Sequence, residues 1–207
     1  MTQSAMLERC FPGRRAGLKR EILGQALACF NEFGVEATTI DAIKTRCNTS
    51  VGAIYHHFGN KEGVLAALFF AAQDDQQAYL KPYLDNAGSL RDTVMALVTS
   101  YLDWVVDNPD WARFLYQARS AVAKGPHREE LERRNAGNRG HLRQRLEALQ
   151  SRQAELTVPF ELLPSLIIGA AENYCRAWLS GRVATSPAEY RQTLSEAAWR
   201  AVGQPYS

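Results

Sequence analysis

Apolar residues recur at helical spacing along most of the chain. Ile22, Leu23, Ala26, Phe30 and Phe33 share one face of a helix predicted from about residue 15 to 33. Gly34 follows as a left-handed stop. Thr38, with Asp41 three residues later, predicts the start of a short helix whose Ile40 and Ile43 face inward. That helix should end near Cys47, with Asn48 turning the chain in the left-handed conformation. Ser50 is then a suitable N-cap for a second short helix, residues 51–57, closed by Gly59-Asn60. Asn60 caps a longer helix from Lys61 to about Tyr79 that buries Val64, Leu65, Leu68 and Phe69.

From Pro82 onward the pattern predicts five further helices, near residues 89–107, 110–123, 127–152, 159–181 and 187–201. Pro109, Gly125-Pro126, Pro159 and Ser186-Pro187 fall between them or at their starts, where helices tolerate proline. No stretch of useful length alternates with the period of a strand. The expected class is all-α. Within the first 60 or so residues stand three helices, the last two short and joined by about three residues. That is the spacing of a DNA-binding helix-turn-helix, whose second helix enters the major groove.

Composition narrows the function classes. The chain has 207 residues and a net charge of only +2, so nucleic-acid binding has to come from a local patch. No run of about 18 apolar residues suggests a membrane span, and the start has no apolar signal-peptide core. Cys10, Cys29, Cys47 and Cys175 are scattered, which predicts reduced thiols in a cytoplasm and no disulfide framework.

The stretch TTIDAIKTRCNTSVGAIYHHFGNKEGVLAAL resembles the DNA-binding head of the TetR family of bacterial transcriptional regulators. Thr39, Ile40, Ile43, Ser50, Gly52, Ile54, Tyr55, Phe58, Lys61, Glu62 and Leu65 carry the resemblance, together with the preceding pattern from Ala26 to Gly34. It covers roughly residues 18 to 68. Asn48, Cys47 and Val51 depart from the family pattern, and Val51 stands where a polar DNA contact is common.

The resemblance implies an N-terminal three-helix head followed by a helical ligand-binding and dimerisation domain. The expected division is residues 1–61 for the DNA-binding domain with its basic N-terminal arm, and 62–207 for the rest. It implies that Tyr55 reaches phosphate, that His56 meets a base or phosphate, and that Thr39 contacts phosphate through its hydroxyl. Ser50, Gly52 and Ala53 lie on the same reading helix. The Ala53 methyl suits a thymine methyl, and Gly52 lets a backbone come close. Lys61, in the first turn of its helix, opposes the helix dipole, and a phosphate there would turn that cost into an anion site. Arg14 and Arg15, with Lys19 and Arg20, form a basic cluster expected to act as a disordered arm. For each of these the plain alternative is a solvated surface residue.

The adjacent pair His56-His57 raises a metal question. Neighbouring side chains on a helix point about 100° apart, whereas zinc-binding helices use residues four apart. No metal or other cofactor is expected. An all-helical metal or redox protein using Cys47, His56 and His57 is one alternative function. A helical small-molecule carrier without DNA binding is another.

In the C-terminal two-thirds the family's sequences diverge, and the residues leave more open. Tyr101, Trp104, Trp111, Phe114 and Tyr174, with Arg119 and Asn173 as polar partners, are candidates for an effector pocket. Aromatics at helical spacing also serve as plain core. The segment PFELLPSLIIGAAENYCRAWLSGR and the last helix resemble the family's dimer helices, with Leu166, Ile167, Ala170, Tyr174, Leu194 and Ala198 as candidates. The alternative is that they fill the monomer core. Seven arginines from Arg128 to Arg152 are read as a solvated helix face, loosened near Gly137 and Gly140. The expected protein is therefore no enzyme. It is a homodimeric, cytoplasmic, ligand-responsive regulator, most simply a repressor, that binds a palindromic double-stranded operator and is released by a small molecule.

Overall fold

The computed structural model describes residues 3–149 and 154–205. Ten helices are formed among these residues: α1 (Gln3–Cys10), α2 (Gly17–Phe33), α3 (Ile40–Arg46), α4 (Val51–Phe58), α5 (Lys61–Asp85), α6 (Leu90–Asp107), α7 (Pro109–Lys124), α8 (Arg128–Leu149), α9 (Leu163–Leu179) and α10 (Arg191–Val202). Short 3₁₀ turns at Arg14–Ala16, Phe160–Leu162 and Pro187–Tyr190 lead into α2, α9 and α10. The all-α class holds. One small antiparallel pair, β1 (Ala154–Leu156) with β2 (Gly203–Pro205), sets Glu155 opposite Gln204. Three residues a side are too few to show as a sequence pattern.

The chain packs as two compact units: Met1–Asp75 with Asn108–Arg133, and Gln76–Asp107 with Arg134–Ser207. In the first, α2 is the central helix, packed on α1, α3 and α7. Ile22, Leu23, Leu27, Phe30, Ile43, Ile54, Leu68 and Phe114 are fully buried there, and the Phe30 and Phe114 rings lie 5.6 Å apart. In the second, α6, α9 and α10 pack on one another. Val94, Val98, Leu102, Trp104, Ile167, Cys175 and Val202 form its interior.

Several expectations change. Residues 3–10 form a helix, with Met6 and Leu7 buried. Its Arg9 guanidinium donates through both Nε and an Nη to the buried Asp75 carboxylate, at 2.9 and 2.7 Å. Helix α3 is capped by Thr39, whose hydroxyl accepts from the Ala42 N–H, and not by Thr38. Thr38 is buried and donates toward the carbonyls of Cys29 and Gly34. Phe33 is exposed under the Arg46 guanidinium, which lies 5.1 Å from its ring centroid. Asn48 does not enter the left-handed region; its N–H donates to the Glu21 carboxylate instead.

Helix α5 runs six residues beyond Tyr79 and contains Pro82. Pro82 stands in the last turn, where it removes one backbone bond and crowds the Ala78 carbonyl, and the helix ends three residues later. Two tyrosines extend this end of the helix. The Tyr79 hydroxyl donates to Asp107 and the Tyr83 hydroxyl to Asp103, each at 2.8 Å. Arg191 of α10 also pairs with Asp103. Helix α8 continues through Gly137 and Gly140. Each glycine costs about 1 kcal/mol against alanine, and buried Leu131 and Leu146 anchor the helix on either side. Of its arginines, Arg145 is not solvated: its Nη donates to the carbonyls of Leu84 and Ala87 at 2.5 and 2.8 Å, just beyond the turn of Pro82. Arg152 lies outside the described residues.

Candidate nucleic-acid interface

Local chemistry builds the reading helix. Gly34, at φ +82°, ends α2, and its N–H donates to the Phe30 carbonyl at 3.0 Å. Thr39 caps α3 and Ser50 caps α4, each hydroxyl accepting a backbone N–H at 3.1 Å. Gly59, at φ +75°, ends α4, and Asn60 caps α5 by accepting the Gly63 N–H at 2.7 Å. Between the two caps, Cys47 to Ser50 turn the chain from α3 into α4. This is the geometry expected of a helix-turn-helix.

Burial fixes which way α4 faces. Ile54 is fully buried and Phe58 half-buried, while Gly52, Tyr55, His56 and His57 are exposed. Tyr55 shows 49% of its surface, a large apolar ring with a hydroxyl left in water. Ala53 is half-buried, and Thr39 and Ser50 are exposed at the two caps. Gly52, Tyr55 and His56, three and four positions apart, share the exposed face of α4. Lys44, on α3, is also exposed and was not singled out by its spacing.

The flanking cations divide. Arg14 and Arg15 are exposed on the 3₁₀ turn before α2. Their neighbours are used inside the fold, so the basic cluster is no disordered arm. Arg20 donates to the carbonyls of Phe11 and Gly13 at 2.7 and 2.8 Å. The Lys19 ammonium lies 4.4 Å from the Phe11 ring centroid and 5.7 Å from that of Phe58. Lys61 also turns toward the chain. Its ammonium donates to the carbonyls of Val35 and Glu36, both at 3.1 Å, and so pins the turn after α2 to the start of α5. One of its three hydrogens remains.

The histidine pair is set edge to face, with ring centroids 5.4 Å apart. Cys47 is 8% exposed, and burial pushes its thiol up to about 11, with the Glu21 carboxylate adding to the shift. A thiol held protonated is neither a nucleophile nor a ready metal ligand. Among the described residues no three His, Cys, Asp or Glu side chains are grouped to hold a metal ion.

The other candidates fall in different surroundings. Trp111, Phe114 and Arg119 belong to the first unit, Tyr101, Trp104, Asn173 and Tyr174 to the second. Trp104, Trp111 and Phe114 are at most 2% exposed and serve as core, whereas Arg119 and Asn173 are exposed. The Trp111 indole N–H is buried without a partner among the described residues. Tyr174 donates to the Thr185 carbonyl at 3.0 Å and meets the Tyr190 ring edge-on. Of the dimer candidates, Ile167 and Ala198 are buried in the second unit, Leu166 and Ala170 are exposed, and Tyr174 and Leu194 are half-buried.

Comparison with known proteins agrees with this geometry. A model of bacterial regulatory proteins of the tetR family matches residues 22–68, which take in most of α2, all of α3 and α4 and the start of α5. The transcriptional repressor Rv1474c of Mycobacterium tuberculosis is 31% identical over 137 residues, 60% of this chain and 70% of that protein. The chain belongs to the tetR family of bacterial regulatory proteins. The repressor AcnR of Corynebacterium glutamicum is 44% identical, over 50 residues that make up 24% of this chain and 27% of AcnR. In solved structures, the fold of a TetR family regulator from Marinobacter aquaeolei VT8 is shared at a TM-score of 0.73 and 19% identity, covering 89% of this chain and 94% of that one. The ketosteroid regulator KstR2 of Mycobacterium tuberculosis shares it at 0.70 and 20%, covering 93% and 96%. As a tetR family member the protein is a DNA-binding transcriptional regulator and not an enzyme. Neither the metal or redox reading nor the carrier reading finds support in these relatives.

Proposed function

We propose that the protein is an effector-released repressor that binds a palindromic operator as a homodimer in the cytoplasm. The observation that carries this reading is α4 itself. It is a capped helix with a single fully buried side chain, Ile54, whose exposed residues include Tyr55 and His56. The DNA contacts assigned to it are Thr39, Ser50, Gly52, Ala53, Tyr55 and His56, with Arg14 and Arg15 on neighbouring phosphates. Lys61 is assigned chiefly to bracing the turn at Val35 and Glu36 from behind. Residues 1–61 would serve as the DNA-binding domain and 62–207 as the effector and dimerisation domain. That Rv1474c and AcnR are repressors supports repression.

The dimer reading rests on one face of α9. Ile167, Ala171 and Cys175 turn inward, while Leu166, Gly169 and Ala170 stay exposed, as does Leu162 in the 3₁₀ turn just before the helix, with Leu162 at 47% and Leu166 at 36%. Small and apolar residues together permit close helix approach. A C2 dimer would set this face against its own copy. Effector binding would act by preferring a state of the dimer that no longer fits the operator. Among the described residues no helix is long and apolar enough to cross a membrane.

Selection of random duplex DNA on the purified protein tests the reading. It predicts an enriched palindrome that persists in the presence of a chelator. Absence of enrichment, or enrichment of a site with no internal symmetry, would contradict it.

A further inference from the structure

A cavity of about 380 Å³ lies within the first compact unit. Its wall is apolar: Val35 from the turn after α2, Leu65 from the first turns of α5, and Ala121 and Val122 from the end of α7. Its volume falls in the range of small-molecule sites. The rim carries two cations, Lys61 and Lys124, and two carboxylates, Glu36 and Glu62, with His127 beside them.

That balance of charge decides the ligand class. The two signs offset each other, so the site supplies no net charge to compensate for the hydration that either an anion or a cation would lose against the apolar wall. An uncharged molecule avoids that penalty. Lys61 adds direction. Two of its three hydrogens go to the carbonyls of Val35 and Glu36, which leaves one donor for an acceptor in the cavity. We propose that this cavity is a small-molecule site for an uncharged, largely apolar compound with a carbonyl acceptor. Its lining comes from both sides of the proposed division, Val35, Glu36 and Lys61 from residues 1–61 and Leu65, Ala121 and Val122 from residues 62–207. A ligand there would touch the residue that pins the α2–α3 turn to α5.

Three probes of equal chain length and different head charge test this: octanamide, octanoate and octylammonium. Each is titrated into protein with ¹³C-labelled Val and Leu methyl groups, followed by NMR. Octanamide should shift the methyl signals of Val35, Leu65 and Val122 saturably. It should bind about tenfold more tightly than either charged probe. Ala121→Phe, which fills the cavity, should abolish those shifts; Ala121→Leu should weaken them if the larger side chain prevents folding. Shifts confined to other methyl groups would overturn the site, as would undiminished binding in the filled variants. Tightest binding by octanoate or octylammonium would overturn the ligand class. The titration contains no DNA, so its outcome is independent of the regulatory reading.

Discussion

Helix α4 buries one of its eight residues, whereas α6 buries nine of its eighteen. Both are regular helices, so the contrast lies in what each surface is used for. Helix α6 turns Val94, Val98, Leu102, Trp104 and Val105 into the interior of its unit. Hydrophobic burial holds it in place. Helix α4 is held by Ser50, Gly59 and Ile54, and by its packing on α3, and leaves Gly52, Tyr55, His56 and His57 exposed. The contrast teaches that a residue's value in this protein depends on its direction: inward residues carry stability, and the outward residues on α4 are those proposed to carry recognition.

The largest effect should come from the inward side. Trp104→Ala removes a side chain that is 1% exposed and should cost about 4 kcal/mol of stability. Thermal or denaturant unfolding checks it; a loss under about 1 kcal/mol would mean that α6 is not the core helix described here.

Next comes Arg145→Ala. It frees the carbonyls of Leu84 and Ala87 from a charged donor and should destabilise by about 2 kcal/mol. Arg139→Ala, on the exposed face of the same helix, should change little. Equal losses from the two would remove Arg145 from its clamping role.

Ser50→Ala sits between the two classes. Loss of the cap should cost about 1 kcal/mol, felt at α4. Hydrogen exchange should show the faster opening at Ala53, whose N–H the cap binds.

A further effect on stability depends on pH. Burial pushes the Cys175 thiol up to about 12 from its ordinary 9.0, with the Glu172 carboxylate adding to the shift. The folded chain therefore keeps a proton that the unfolded chain releases. This contribution is fully present below about pH 9 and is lost as pH rises toward 12. Cys175→Ala should show a shallower decline than the parent when denaturation is compared at pH 8 and about pH 10.5. Parallel declines would show that Cys175 does not titrate in this way.

The head was far more legible in the sequence than the rest, because its signals are local. Ser50, Gly34, Gly59 and Asn60 act on backbone groups within a few residues, so spacing alone locates α4 and the ends of its neighbours. Exposure of Tyr55 and His56 follows once Ile54 is assigned inward. Even there, adjacent threonines exchanged roles. Both Thr38 and Thr39 offer a hydroxyl, and only the packing of Thr38 against α2 separates cap from core. Elsewhere the deciding contacts join residues far apart in the chain. Arg9 with Asp75, Arg145 with Leu84 and Tyr83 with Asp103 leave no periodic trace. The position of Lys61 in the first turn suits an anion outside the fold, but the Val35 and Glu36 carbonyls claim its ammonium. Periodicity also does not separate a core aromatic from one that lines a pocket, so Trp104, Trp111 and Phe114 fit either reading by spacing, and the structure adds that they are buried.

The most direct test of the outward role of α4 is the operator affinity of Tyr55→Phe, measured on the selected duplex beside the unfolding temperature. The substitution removes one exposed hydroxyl and keeps the ring. The account predicts an unchanged unfolding temperature and an affinity lower by about 1 kcal/mol, roughly fivefold. Unchanged affinity, or a loss of affinity that only follows a loss of stability, would contradict it.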